Sequence, residues 1–356
     1  MLQITLEPVG EMGAVGRRWQ ALEAFARVDF FRSWTFLGCF AHERFAGALL
    51  LSATLDGQDV GLGLLGYAKG RFWLNQIGDA AQDAVFIEHN GLLVRDSHDG
   101  VATAMLAHAA RRRPVVLAGV DAATLRLAAG AGWLVQTQSR PAPRVDLARL
   151  TGPYLDTLSA NARAQIRRAI RGHGTGLKLA RADSVAEAQA WFAELVTLHQ
   201  ASWTGRGQPG AFATTTMRRF HAALIARAWP LGQADILRVT ASGGTAGLLY
   251  CLIHDGHVHS YQSGFAYDAT QKWAKPGLVC HALAIEHYAA EGAHTYDLLA
   301  GVDRYKQTLT SGNPQPTPTP ILYWATLYRP WSAAGLAGRV RQAIAQRAGR
   351  WRRGSA

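Results

Sequence analysis

The densest run of chemically capable side chains is TYDLLAGVDRYKQTL (295–309), where Asp303, Arg304, Tyr305 and Lys306 fall within one turn just past a strand-like segment. A tyrosine so placed can act as a general acid; the alternative is a capped, salt-bridged turn. Strand alternation puts Tyr296 and Leu298 on one face and Asp297 and Leu299 on the other. Asp297 thus faces a mostly apolar layer, where a carboxylate needs a partner and its pKa moves.

A second candidate is Lys275-Pro276-Gly277-Leu278, where proline opens a helix. Helix amino termini present unpaired N–H groups and a partial positive charge, so a phosphate there is held by backbone; Gly277 permits close approach and Lys275 adds a cation. His254, His257 and His259 flank an Asp255-Gly256 turn. Two imidazoles at i and i+2 without a fixed third ligand read as hairpin surface, not as a metal site. The chain shows no GxSxG, HExxH, Walker-type or GxGxxG motif in the right context, and spacing assembles no Ser-His-Asp set.

The elements that must position these residues alternate between helix and strand. In the first 150 residues, helical spacing at 19–26 precedes a glycine-broken strand at 59–74 and a strand pair at 84–94 turning at Asn90-Gly91. Helices at 102–111 and 122–129 then alternate with strands at 114–118 and from 133, a pattern of helices packed on a sheet. SRPAPR (139–144) marks the domain boundary, because its prolines suit no central strand.

Beyond it, Ser159 caps a helix carrying Arg163, Arg167 and Arg171 on one face, either a solvated surface or a phosphate-facing stripe. A long helix at 184–202 leads into the glycine-rich SWTGRGQPGAF, then come a helix at 216–228 and three meandering strands over 234–264, turning at Gly243-Gly244 and Asp255-Gly256. A helix from Pro276 to about Ala290, a strand at 294–301, the proline-rich 311–320 and a last strand at 321–329 complete this part. The expected division is 1–150, 151–330 and a basic tail, 331–356. The tail reads as a helix with six arginines and no acid; Leu336, Val340, Ile344 and Trp351 share a face that Arg347 interrupts, which favours a docked or frayed terminal helix over a membrane anchor.

The 356 residues are 49% hydrophobic and 17% charged, enough apolar side chain to exclude an intrinsically disordered chain. Lys plus Arg exceed Asp plus Glu by 37 to 25, a net +12 that calls for anionic partners. The opening residues do not resemble a secretory signal, no apolar run is long enough for a spanning helix, and Cys39, Cys251 and Cys280 have no CxxC spacing. These features point to a cytoplasmic protein with reduced thiols.

NARAQIRRAIRGHG, then LHQASWTGRGQPGAF, the hairpin through GLLYCLIHDGHVHSYQSGFAYDATQKWAKPGLV, and finally GAHTYDLLAGVDRYKQTL occur in an order with a known counterpart. Over about 155–310 the chain resembles the GNAT-superfamily acyltransferases that group cellulose-biosynthesis-type acetyltransferases with Fem-type peptidyltransferases. Tyr296 to Lys306 is the most specific stretch; Trp203-Arg206-Gly207 and Lys275-Pro276-Gly277 support it, and the first half is similar to a degenerate GNAT-like domain. The resemblance implies an α/β fold of tandem GNAT-like domains, each a mixed, mostly antiparallel sheet flanked by helices.

It also implies transfer of an acyl group from acyl-CoA, a co-substrate and not a resident cofactor, to a small amine such as an amino sugar or amino acid in surface-polysaccharide or envelope metabolism. The donor is expected along Tyr261, Ser263 and Gly264, with its pyrophosphate at Lys275 to Leu278, where this chain carries KPGL in place of the glycine-rich loop. Tyr305 stands where such enzymes place the acid for the leaving thiolate. Asp297 or His259 is expected to assist amine deprotonation, with Trp203, Arg206, Lys306 and, from the first domain, Glu88, His89 and Asn90 toward the acceptor. Two other readings stay open: an aminoacyl-tRNA-dependent ligase, and a non-catalytic RNA- or membrane-binding protein on a decayed scaffold.

Overall fold

The computed structural model describes residues 1–85, 87–241, 244–267, 274–312 and 319–354. In chain order the first elements are β1 (Leu2–Pro8), α1 (Met12–Glu23), α2 (Trp34–Leu37), α3 (Ala41–Arg44), β2 (Leu49–Leu55), β3 (Gln58–Ala68) and β4 (Arg71–Leu74). After β5 (Leu93–Val94) come α4 (Asp99–Arg112), β6 (Val115–Val120), α5 (Ala122–Ala131), β7 (Trp133–Pro141) and β8 (Arg144–Asp146). The next are α6 (Tyr154–Thr157), α7 (Ala160–Gly172), β9 (Lys178–Arg181), α8 (Val185–Thr204), α9 (Thr215–Ala228), β10 (Ala234–Ala241), β11 (Gly244–His254) and β12 (His257–Phe265). The chain ends with α10 (Pro276–Ala290), β13 (Thr295–Asp297), α11 (Arg304–Leu309), β14 (Ile321–Tyr328) and α12 (Ala333–Gly354). No described helix is long and apolar enough to cross a membrane, and all three cysteines are free and buried.

Two compact units result, residues 1–140 with 321–356, and residues 141–320. The last strand therefore falls in the first unit, not in the second where sequence order placed it. It sits between β6 and β7 in the sheet β1-β2-β3-β4-β6-β14-β7, with β5 on β3. Its pairing with β6 is antiparallel, Ala325 opposite Leu117 and Leu327 opposite Val115. Such a partner, some 200 residues away in the chain, leaves no local trace in sequence. Conversely, β8 belongs to the second unit, pairing with β13.

The glycine-broken strand of the sequence is a hairpin of β3 and β4, turning where Lys69 and Gly70 adopt left-handed φ of 52° and 73°. The strand pair expected at 84–94 does not form. Asn90 is 1% exposed, and its side-chain amide donates to the Leu74 carbonyl while its oxygen accepts from Asn75 and from the Gly91 N–H. Asn75 accepts from the Leu64 N–H at 3.1 Å and donates to Gly91 O at 2.8 Å. These two amides satisfy backbone groups that the glycine-rich sheet interior would otherwise leave buried and unpaired. Asn90-Gly91, a hairpin signal on paper, is thus a buried polar lock, which removes the Asn90 side chain from the expected acceptor site.

The second unit holds the sheet β8-β13-β12-β11-β10-β9, in which only β12 and β13 run parallel. Ser159, Ser184 and Thr214 cap α7, α8 and α9, each accepting from the N–H three residues on. One core packs α7 and α10 on the sheet through Ile166, Leu249, Val258, Ile285 and Tyr296. Asp255 and Gly256, with φ of 46° and 69°, form the expected hairpin turn between β11 and β12. The strand expected at 294–301 is shorter: after Asp297 the chain follows residues 141–143, Leu298 N–H donating to Pro143 O and Gly301 N–H to Pro141 O. Gly243 of the expected Gly243-Gly244 turn, and 313–318 of the proline-rich stretch, lie outside the described residues.

The tail is helical as expected; of its apolar row, Leu336, Val340 and Ile344 are 56%, 50% and 61% exposed and so are not docked, and the side chain of Trp351 lies outside the described residues.

The paired amides make one quantitative expectation. Asn75→Ala orphans the Leu64 N–H and places alanine at a φ of 53°, and should lower unfolding free energy by roughly 2–3 kcal/mol. Urea denaturation of the wild-type and variant chains, with an unchanged m-value, measures it.

Candidate active site

The second unit's distinctive feature is the edge of β12. Pairing with β13 spans only His257, His259 and the residue between them, opposite Thr295 to Asp297. From Ser260 to Phe265 no described strand lies on that side, because the chain after Asp297 has turned away toward 141–143. On its other side β12 is bulged: Tyr250 pairs with Gln262 but Cys251 with Ser260, so Tyr261 is the extra residue. A bulge bends the strand and breaks its ladder locally, here close to the point where β13 leaves the other edge of β12.

α8 approaches this edge closely. A Cβ on Gly264 would lie 2.5 Å from the Leu195 carbonyl oxygen, so only glycine lets helix and strand meet. One turn on, His199 is 4% exposed; its Nδ1 donates to the Ser263 carbonyl at 2.8 Å and its Nε2 accepts from the Ala211 N–H at 3.1 Å. Both partners fix the neutral Nδ1–H tautomer, and burial pushes the imidazole below its ordinary range. The ring thereby ties the 205–214 loop to the bulged strand. His199 stands four residues before Trp203 in LHQASW, helical spacing that was available in the sequence but carried no motif.

Around the same edge, Arg206 places its guanidinium 5.8 Å from the Trp203 ring centre and 6.0 Å from that of Tyr267. Trp203 and Tyr267 are 39% and 58% exposed, so the three form an aromatic and cationic surface. At the start of α10, Lys275 is exposed and left-handed, with φ 40°. Pro276 has no N–H, and Leu278 and Val279 donate to the Lys275 carbonyl, which among the described residues of this turn leaves the Gly277 N–H and the Lys275 ammonium as donors for an anion. Gly277 also packs closely against the Phe265 ring, which would lie 3.2 Å from a Cβ at this position, a tight contact.

Tyr305, on α11, is 36% exposed and stacks on His281 at 5.4 Å with an interplanar angle of 16°. Burial, with Asp303 and Tyr267 nearby, raises the phenol above its ordinary value, so it stays protonated and able to donate. His281 is 2% exposed and shares a 2.9 Å hydrogen bond with the Tyr296 hydroxyl. Burial, reinforced by Lys306, pushes His281 down to about 3. It is a neutral platform for Tyr305, and no motif singles it out in the sequence, where it stands within the apolar run LVCHALAI of α10.

The remaining expected residues divide. Asp297 is fully buried and accepts from the Leu299 N–H at 2.7 Å, with His257 Nε2 3.4 Å from its other oxygen. His257 and His259 stack at 4.3 Å, and His259 is fully buried, so the pair is not the hairpin surface expected. β12 continues past the turn into the sheet interior, which alternation alone does not reveal. Lys306 is also misread by sequence: at 5% exposure its ammonium donates to the Leu299 and Ala300 carbonyls at 3.0 and 2.9 Å. It secures the turn after β13 and is not presented to a substrate. Glu88 and His89 are half-buried in the first unit.

Residues 160–307 match a family model described as an acetyltransferase (GNAT) domain. Among solved structures, the chain is similar over 94% of its length to 96% of the C-terminal domain of a candidate lysylphosphatidylglycerol synthetase from Agrobacterium fabrum (TM-score 0.58, 12% identity). It is similar over 90% of its length to 97% of FemX (TM-score 0.58, 10% identity). A further likeness covers 93% of the chain and 96% of L-PGS from Bacillus licheniformis (TM-score 0.56, 12% identity). No curated protein matches. The expected mixed α/β architecture of two sheets flanked by helices thus holds, and the segment that matches the acetyltransferase (GNAT) domain model lies within its second unit.

A folded-state value near 3 for His281 against 6.5 when unfolded means that the unfolded chain binds the extra proton between these values. Stability at this site is therefore full above about pH 6.5 and falls as pH drops. Going from pH 7 to 5 should remove about 2 kcal/mol, and His281→Gln should flatten that slope in urea melts at the two pH values.

Proposed function

We propose that this protein is an N-acyltransferase that moves an acyl group from acyl-CoA to a primary amine. The observation that carries the reading is the bulged, diverging edge of β12 at Tyr261 to Gly264, beside the Tyr305 turn and within the segment matching the GNAT domain. Such an edge offers backbone N–H groups to a thioester carbonyl without side-chain reorganisation. The CoA phosphates are drawn to Lys275 and the Gly277 N–H.

In the proposed reaction the neutral amine attacks the thioester carbonyl carbon, and N–H groups of the Tyr261–Ser263 stretch stabilise the resulting oxyanion. The C–S bond then breaks, and the departing thiolate takes the Tyr305 proton. The amine's surplus proton passes toward His259, whose stacked neighbour His257 faces the Asp297 carboxylate. His257 joins the expected pair as the link between them. Trp203, Arg206 and Tyr267 shape the mouth, and the finer placement beside the cellulose-biosynthesis-type and Fem-type transferases belongs to the same proposal.

A second reading, aminoacyl-tRNA as donor, draws on Arg168 and Arg171, exposed on α7. Arg163 and Arg167 of that helix already lie 4.0 and 3.1 Å from the Asp156 carboxylate, which weakens the continuous phosphate-facing stripe this reading needs.

The test is free-thiol release with a panel of acyl-CoAs and small amines, run beside charged tRNA. Thiol release that depends on an amine supports the proposal; transfer from charged tRNA alone replaces it with the second reading, and no turnover with either donor sinks both. Tyr305→Phe should lower kcat on the order of 100-fold or more while leaving KM within a few-fold.

A further inference from the structure

The first unit carries a surface that acyl transfer does not use. α12 meets its own sheet along small residues: Gly335 and Gly338 are buried, and a Cβ on them would lie 2.9 Å from Tyr328 Cβ and 2.8 Å from Val135 Cγ2. Its aliphatic residues point the other way. At ~100° per residue, Leu336, Val340 and Ile344 fall on the side of the helix opposite the glycines, and each is at least 50% exposed. A helix that served only to cover the sheet would turn these side chains inward. Here docking is left to glycine, and three branched aliphatics form an outward row, with Arg347 the next basic position along the same side of the helix.

The surroundings of the row state what covers it. Arg339 and Arg341 flank it on either side and are exposed; the Arg339 guanidinium also lies 4.8 Å from the Trp133 ring centre. The sequence of α12 contains six arginines and no carboxylate. Just before the helix, Trp331 is 88% exposed, packed edge-on to Trp133. An aliphatic row needs an apolar medium, its arginine borders need negative charge, and an exposed tryptophan at the margin suits the boundary between water and hydrocarbon. A nucleic acid would satisfy the arginines and leave the aliphatics wet. A second copy of the chain would bring six more arginines against the first six.

We infer that α12 is a docking helix for an anionic lipid surface, lying in the headgroup plane with Leu336, Val340 and Ile344 inserted and the arginines on lipid phosphates. This surface is independent of the acyl-transfer reading, since every residue invoked lies in the first unit.

Flotation of the full chain with phosphatidylcholine vesicles, with and without phosphatidylglycerol, tests it. Binding is expected only with the anionic lipid. Arg341→Gln should weaken it roughly five-fold, and L336S/V340S/I344S on the order of 100-fold. Far-UV circular dichroism and the urea midpoint report whether the triple variant still folds; Arg341→Gln keeps the apolar row and tests the charge term by itself. Absence of flotation with anionic vesicles overturns the inference, as does equal flotation of the triple variant. It is likewise overturned by salt-sensitive binding to a homopolymeric RNA without vesicle binding, or by a dimer that the triple variant dissolves.

Discussion

A strand that can pair on one side only must settle its other edge some other way, because unpaired backbone groups are costly wherever water is excluded. β12 is under this constraint from Ser260 onward, where β13 has left it after three paired residues. His199 answers part of it by donating to the Ser263 carbonyl, and the bulge at Tyr261 interrupts the ladder on the β11 side. Gly264, Gly277 and His281 then read as one set of accommodations. The first admits α8, the second admits the Phe265 ring, and the third backs Tyr305 with a flat, uncharged surface.

The divergence has a conformational origin in the backbone after β13. After Asp297 the chain passes through Leu299 at φ 61° and Gly301 at φ 142°, conformations that turn it off the strand path. Lys306 holds that turn by its grip on two successive carbonyls. A buried ammonium is tolerable only when such acceptors surround it. The strand gap, the turn and the placement of Tyr305 just beyond it are therefore a single mechanical assembly, in which Lys306 supports the residue next to it.

What could be read from sequence was local. Ser159 announces a helix through short-range capping, Pro276 marks a first turn, and Asp255-Gly256 marks a hairpin; each depends on neighbours within a few residues. The TYDLLAGVDRYK stretch was legible through its resemblance, and with it Tyr305. The burial of polar groups was not legible. Asn90 with Gly91 reads as a turn unless Asn75 and Leu74 are known to sit against it, and Lys306 reads as a surface cation unless the turn it caps is known. His199 and His281 owe their importance to groups some 60 and 15 positions away. Burial of polar side chains is decided by tertiary partners, and hydrophobic periodicity is silent about them.

The first unit's sheet has one more property. Its neighbours β6 and β7 are 115–120 and 133–141, yet the strand between them is 321–328. On the ribosome, the chain emerges with that seat vacant while the whole of 141–320 is made. The second unit can complete its own sheet first, its two ends brought together by the Ala142 N–H on the Pro320 carbonyl at 2.8 Å. Only then does β14 arrive to join β6 to β7. The unit whose synthesis begins first is therefore the last whose sheet can be completed, and until β14 is in place the facing edges of β6 (VVLAGV) and β7 (WLVQTQSRP) stand open, the circumstance in which unpaired backbone invites wrong pairing.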